Sequence, residues 1–95
     1  MDSLLFDKIQ EPYSMDAEQA VLGSILIDSA CFDRVSGIIR SSDSFYIPQH
    51  KAIYSIIANL KLLNQKVDAL IVAEELRKSG EYDEASGRNY LAQLA

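Results

Sequence analysis

A chain of 95 residues is long enough for one small domain with its own core and too short for two lobes. Nine Lys and Arg against fourteen Asp and Glu give a formal charge of −5, which argues against a phosphate-binding surface built on general electrostatics and points to a protein partner rather than naked nucleic acid. The single cysteine, Cys31, excludes an internal disulfide or a Cys-based metal site and fits a reducing, cytoplasmic setting, while apolar runs of only a few residues indicate neither export nor membrane insertion.

Residues 1–13 read as an N-terminal arm, polar apart from Leu4, Leu5 and Phe6, with Pro12 closing it. Residues 14–95 read as one helical domain. Its first helix opens at Ser14, a residue suited to capping, and carries Asp16 and Glu18 in the first turn, where negative charge favours a helix start. Ala17, Ala20, Val21 and Ile25, flanked by Leu22 and Leu26, recur at the three- and four-residue steps of one buried face. Gly23 in mid-helix costs roughly 1 kcal/mol relative to alanine, so its presence predicts a second backbone passing close by.

A second helix is predicted from about Ala30 to Ile39, followed by a break at Ser41-Ser42-Asp43 and a turn whose aromatics, Phe45 and Tyr46, act as core plugs. Pro48 suits the first position of the longest helix, which runs to about Leu63 on the stripe Ala52, Ile53, Ile56, Ile57, Leu60 and Leu63, widened by Tyr54 and Leu62. Asn64-Gln65-Lys66 is a turn. Asp68 then caps a helix holding Leu70, Ile71, Ala73 and Leu76 and ending at Arg77-Lys78-Ser79-Gly80. Residues 81–86 read as an acidic loop, and Gly87 precedes a last apolar period in Tyr90, Leu91 and Leu94. The period breaks off at Ala95 without a cap, which predicts a longer parent chain. No stretch alternates with period two, so the expected fold is an all-α bundle of about five to six short helices.

The residues offer little chemistry. Four scattered glycines provide no phosphate loop and no Walker motif, so no cofactor site is expected in this chain. His50 is the only histidine, which excludes a two-histidine metal site and leaves a structural hydrogen-bonder as its expected role. Cys31 on a helix face reads as core. The pairs Glu74-Glu75 and Asp83-Glu84 read as solvated charge, because neighbours on a helix do not face one another. Two rival readings remain at this level: a small helical nucleic-acid-binding domain, and a small enzyme pairing His50 with a carboxylate such as Asp43.

The words of the sequence go further. Pro12-Tyr13-Ser14 followed by the run from Asp16 to Asp28, with Ala17-Glu18-Gln19-Ala20-Val21-Leu22-Gly23 at its centre, resembles the opening of the N-terminal domain of the bacterial and phage replicative DNA helicases, the DnaB family. Asp43-Ser44-Phe45-Tyr46 resembles the family's Asp-Phe-Tyr turn with one residue more, and His50-Lys51-Ala52-Ile53-Tyr54 its His-Arg-x-Ile-Phe helix start. Val67-Asp68, Glu75-Leu76 and Tyr90-Leu91-Ala92 follow in the family's order, so the resemblance covers about residues 12 to 95. Departures are local: Asn64 and Lys66 stand for a usual Gly and Pro, Ile71 for a Thr, and Ser86-Gly87 for a Gly-Gly.

The resemblance implies a non-catalytic collar domain that supports hexamer assembly and binds primase. The parent protein would unwind DNA with ATP and Mg²⁺ through a separate motor domain, and a helical hairpin would follow Ala95. Other helicase subunits, a helicase loader, and DNA through the motor are the further implied partners, with no membrane. The family's primase contacts fall on Asp16 and Tyr90, of which Tyr90 also reads as part of a core stripe with its hydroxyl at the surface.

Overall fold

The computed structural model describes residues 15–80 and 84–95, with the backbone alone for 84–86. Five α-helices make up this part: α1 (Met15–Ile27), α2 (Phe32–Ile38), α3 (Pro48–Leu62), α4 (Ala69–Ser79) and α5 (Glu84–Leu94), with short 3-10 turns at Ser29–Cys31 and Ser42–Ser44. Among the described residues there is no strand, so the all-α architecture follows the periodicity of the sequence. The expected arm, the Ser14 cap and the loop at 81–83 lie outside the described residues, as do the side chains of Asp83 and Glu84.

Local chemistry explains most boundaries. Asp28 accepts from the Ala30 N–H at 3.1 Å and Ser41 from the Asp43 N–H at 3.1 Å, each opening a 3-10 turn. Asp68 accepts from the Ile71 N–H at 2.9 Å, the N-cap expected for α4. Helix α4 ends at Gly80, whose φ of 77° is the left-handed conformation that glycine adopts without strain. At the end of α3 the same geometry falls on Asn64, with φ 61°. The Gln65 N–H donates to the Leu60 carbonyl at 2.8 Å and the Asn64 N–H to the Lys61 carbonyl at 3.0 Å, the paired bonds of a Schellman stop. Asparagine is a tolerable substitute for glycine there, so this departure from the family's usual residue leaves the turn intact.

Three expectations change. The second helix is split, with a 3-10 turn at Ser29–Cys31 leading into the shorter α2. Helix α5 begins at Glu84, so Gly87 lies inside it rather than before it, and residues 84–86 are helical rather than loop. Leu62, Leu70 and Tyr46 are largely exposed. Leu62 and Leu70 each sit two positions from a buried residue, Leu60 and Val72, which on a helix is more than half a turn around from the core face. Tyr46 lies in the bend before α3, between the extended Phe45 and Ile47, and there Phe45 is buried while Tyr46 stays outside.

The core collects Val21, Leu22 and Ile25 from α1, Val35 from α2, Ile53 and Ile57 from α3, Val72 and Leu76 from α4, and Leu91 from α5. Cys31 joins it, and burial, followed by the nearby Asp28 charge, pushes its thiol pKa up, as suits a small buried hydrophobe. Phe32, Phe45 and Tyr54 form an aromatic wedge, with Tyr54 ring centroids 5.7 Å from Phe32 and 4.9 Å from Phe45. The Tyr54 hydroxyl donates to the Ile39 carbonyl at 2.6 Å, satisfying the end of α2 from the middle of α3.

Two predictions follow from this packing. A Cβ on Gly23 would overlap the backbone carbonyl oxygen of Leu94, so the second backbone inferred from the glycine is the end of α5. Gly23→Ala gains about 1 kcal/mol of helix propensity but forces the two helices apart, and urea unfolding should show a net loss of roughly 1–3 kcal/mol. Burial also pushes the Tyr54 phenol up to about 12. The unfolded phenol ionises near pH 10, so the contribution of Tyr54 is whole below that pH and declines as pH rises towards 12. Comparison of unfolding curves for the native chain and Tyr54→Phe should show an extra loss on the order of 2–3 kcal/mol across that window in the native chain alone.

Candidate functional site

The site is built around Glu18, one turn into α1 and 8% exposed. Burying a carboxylate is costly unless its oxygens are supplied with donors. Glu18 Oε2 accepts from the Tyr46 N–H at 2.7 Å, and Oε1 accepts from the Ile47 N–H at 3.4 Å and from His50 Nδ1 at 2.7 Å. Ile47 is the N-cap of α3 and offers no side-chain cap, while Pro48 at the first helical position has no N–H to satisfy. The carboxylate of another helix therefore performs the cap, placing negative charge at the positive end of α3. His50 stands at the third helical position, where a capping box would place its own Glu, and instead joins the distant carboxylate.

His50 is fully buried. Its Nε2 meets the hydroxyl of Tyr90 on α5, and the two rings stack with centroids 5.7 Å apart and planes 17° apart. Phe45 closes the imidazole from the edge at 6.4 Å. Gln19 Nε2 donates to the Tyr90 hydroxyl at 3.3 Å. A carboxylate only accepts, so Nδ1 carries a proton. In the neutral ring Nε2 then accepts the Tyr90 hydroxyl proton, and the hydroxyl oxygen accepts from Gln19. This tautomer, assigned from the partners, satisfies every member of the set. Among the described residues no buried side-chain N or O atom lacks a partner.

The same tyrosine forms part of an open surface groove of about 360 Å³ between α1 and α5. Asp16, Gln19 and Ala20 line one side, and Tyr90, Gln93 and Leu94 the other. The two residues singled out in the sequence, Asp16 and Tyr90, thus share one groove, with Asp16 exposed and Tyr90 half-buried. The expectation that the Tyr90 hydroxyl sits at the surface is corrected: it turns inward to His50, because a buried imidazole nitrogen needs a partner and the phenol supplies it. Glu18 was read only as a charge for the first helical turn, and its larger role depends on a bond spanning 32 residues. The pairing of His50 with Asp43 fails as well, since both ring nitrogens are taken by Glu18 and Tyr90 and Asp43 is exposed. Among the described residues no group of His, Cys, Asp and Glu side chains could hold a metal ion.

What this arrangement can do is orient. Carboxylate, imidazole and hydroxyl stand in line, but the imidazole has no solvent-facing surface and the hydroxyl is aimed at it rather than at the groove. A signal for the set was present in the sequence: its members come from the three words Ala17-Glu18-Gln19, His50-Lys51-Ala52-Ile53-Tyr54 and Tyr90-Leu91-Ala92, which carry the family resemblance.

Fold and site together define a small all-α domain with a buried polar lock beneath an open interhelical groove. The chain belongs to the DnaB-like helicase N terminal domain family, whose model matches residues 10–95. It is similar to the replicative DNA helicase DnaB of Rhodothermus marinus, 39% identical over 83 residues, covering 87% of this chain and 9% of that protein. The corresponding protein of Geobacillus stearothermophilus is 36% identical over 93 residues, 98% of this chain and 20% of that one. That of Pasteurella multocida is 36% identical over 87 residues, 92% of this chain and 18% of that one. The chain therefore spans a fifth or less of the length of these relatives. No described helix is long and apolar enough to cross a membrane.

Removing the carboxylate exposes its worth. Glu18→Ala strands the Tyr46 and Ile47 N–H groups and His50 Nδ1, and should lower unfolding free energy by on the order of 3 kcal/mol. Glu18→Gln keeps one acceptor oxygen but turns an NH2 group towards a donor, and should recover only part of that loss in the same urea titration.

Proposed function

We propose that this chain is the collar domain of a replicative DNA helicase, a non-catalytic module that supports hexamer assembly and binds primase. Membership of the helicase N-terminal domain family, with a match running from residue 10 to the last residue, is the observation that carries this reading. The relatives are named replicative DNA helicases, and the chain corresponds to a small part of each. Unwinding, with the ATP and Mg²⁺ that drive it, belongs in this reading to the motor domain of the parent protein, which would act in the cytoplasm with DNA, sister subunits and a loader as further partners.

The groove between α1 and α5 is the surface we assign to primase. Asp16 and Tyr90 lie 74 positions apart in the chain and are brought into one concave patch, with the charge of Asp16 at the rim. An acidic chain presenting an acidic rim suits a protein partner better than a phosphate backbone. One such contact is small and weak, but several copies on a ring raise the effective concentration of primase at the fork without any single contact being tight.

The test is calorimetric titration of primase from the same source into this chain. Asp16→Ala, an exposed change that leaves the core alone, should weaken binding about tenfold while lowering unfolding free energy by no more than about 1 kcal/mol, the worth of a first-turn charge. Unchanged affinity in that variant would remove primase from this groove. Tyr90→Ala is a poorer probe than the sequence alone predicts, because it strips His50 of a partner and lowers stability as well.

A further inference from the structure

The polar set under the groove is buried more thoroughly than any capping role requires. Capping α3 needs only the Glu18 carboxylate on the Tyr46 and Ile47 N–H groups. His50 adds nothing to that cap; it carries the carboxylate's influence across the core to Tyr90 on a different helix. Tyr90 is the one residue that belongs both to this set and to the groove wall apart from Gln19, which donates to the same hydroxyl.

We propose that Glu18 and His50 are positioning residues for the partner-binding groove: through the Tyr90 hydroxyl they fix the ring that forms the groove's α5 wall, and so set partner affinity without touching the partner. The proposal rests on the reading of the groove as the primase site. Three features hold the ring. Its hydroxyl donates to His50 Nε2, its oxygen accepts from Gln19 across the groove, and one ring face lies parallel to the imidazole. Without the hydroxyl bond a half-buried tyrosine on an open groove wall regains rotamer freedom, which any partner must then freeze again on binding. A second anchor keeps the helices themselves in place, since Gly23 seats the Leu94 carbonyl one turn further along both α1 and α5. Loss of the hydroxyl bond therefore loosens the side chain rather than separating the helices.

The experiment uses His50→Leu, His50→Gln and Tyr90→Phe, with Asp16→Ala as the control for the groove. Nuclear Overhauser contacts from ring 90 to Ala20 and Leu94 report the ring in the unbound chain, and titration of primase reports affinity. His50→Leu removes the acceptor for the hydroxyl and keeps the two backbone N–H donors to Glu18 at the start of α3, while the carboxylate loses its Nδ1 donor. It should weaken the ring contacts and lower affinity about tenfold. His50→Gln places an amide donor towards Glu18 and a carbonyl acceptor towards Tyr90, and should restore affinity to within about threefold. A merely structural need for an aromatic ring would not be met by glutamine. Tyr90→Phe keeps ring and imidazole but no hydroxyl, and should match the loss in His50→Leu; it also carries the test if His50→Leu does not fold. Native affinity in Tyr90→Phe and His50→Leu, alongside a loss in Asp16→Ala, overturns the proposal while leaving the primase reading in place. Ring contacts unmoved in both variants overturn it whatever primase does. Failure of the native chain to bind primase, or native affinity in Asp16→Ala, overturns the primase reading and with it the claim on partner affinity.

Discussion

A single buried carboxylate holds three helices in register. Glu18 leaves α1, closes the start of α3 through two backbone N–H groups, and reaches α5 through the imidazole of His50 and the phenol of Tyr90. Each of these groups would be expensive in an apolar interior by itself, and together they cancel one another's needs. The arrangement is directional in a way that apolar contacts are not. Leucine and isoleucine side chains on these helices tolerate small slides, whereas a donor displaced by an ångström from its acceptor loses most of its value. The core supplies the drive to collapse, and the Glu18 set adds directional bonds linking α1, α3 and α5.

The contact between α1 and α5 is pinned at two points one helical turn apart. Gln19 meets Tyr90, and four residues on in both helices Gly23 meets Leu94. The first is a hydrogen bond and the second a close approach of backbones that no larger residue permits. Between them the two helices run side by side, and the open groove lies along their outer edge. The open groove is in this way laid over a contact pinned at two points, which preorganises its walls.

Substitutions near this seam should be read by which side of Tyr90 they act on. Asp16 and Gln93 face the groove, while Glu18 and His50 lie beneath it. Surface charges elsewhere, such as the Glu75–Lys78 pair on α4 at 3.2 Å, are exposed i,i+3 contacts of small consequence for stability.

Much was legible in the sequence because it depends on neighbours along the chain. Periodicity marked α1, α3 and α4, Asp68 and Gly80 bounded α4, and the mid-helix glycine at position 23 announced a close backbone that the fold supplies. The run from Ala17 to Gly23 and the words that follow it placed the chain in its family. Sequence reading was weaker where two continuations cost nearly the same, as at Gly87, which a helix of favourable packing absorbs, or at Leu62 and Leu70, apolar residues left outside the core. It also offered His50 only Asp43 as a named partner, in a rival reading, where the fold supplies Glu18 and Tyr90, and turned the Tyr90 hydroxyl outward. Only the tertiary structure could decide these, because hydrogen-bond partners 32, 40 and 71 positions apart are chosen by how helices pack and leave no local period behind. The sequence by itself determined most of the helices, the Asp68 and Gly80 boundaries of α4 and the family; the packing determined that Glu18 caps α3 and that Glu18, His50 and Tyr90 form one buried chain, since a buried polar group takes whichever partner the fold delivers.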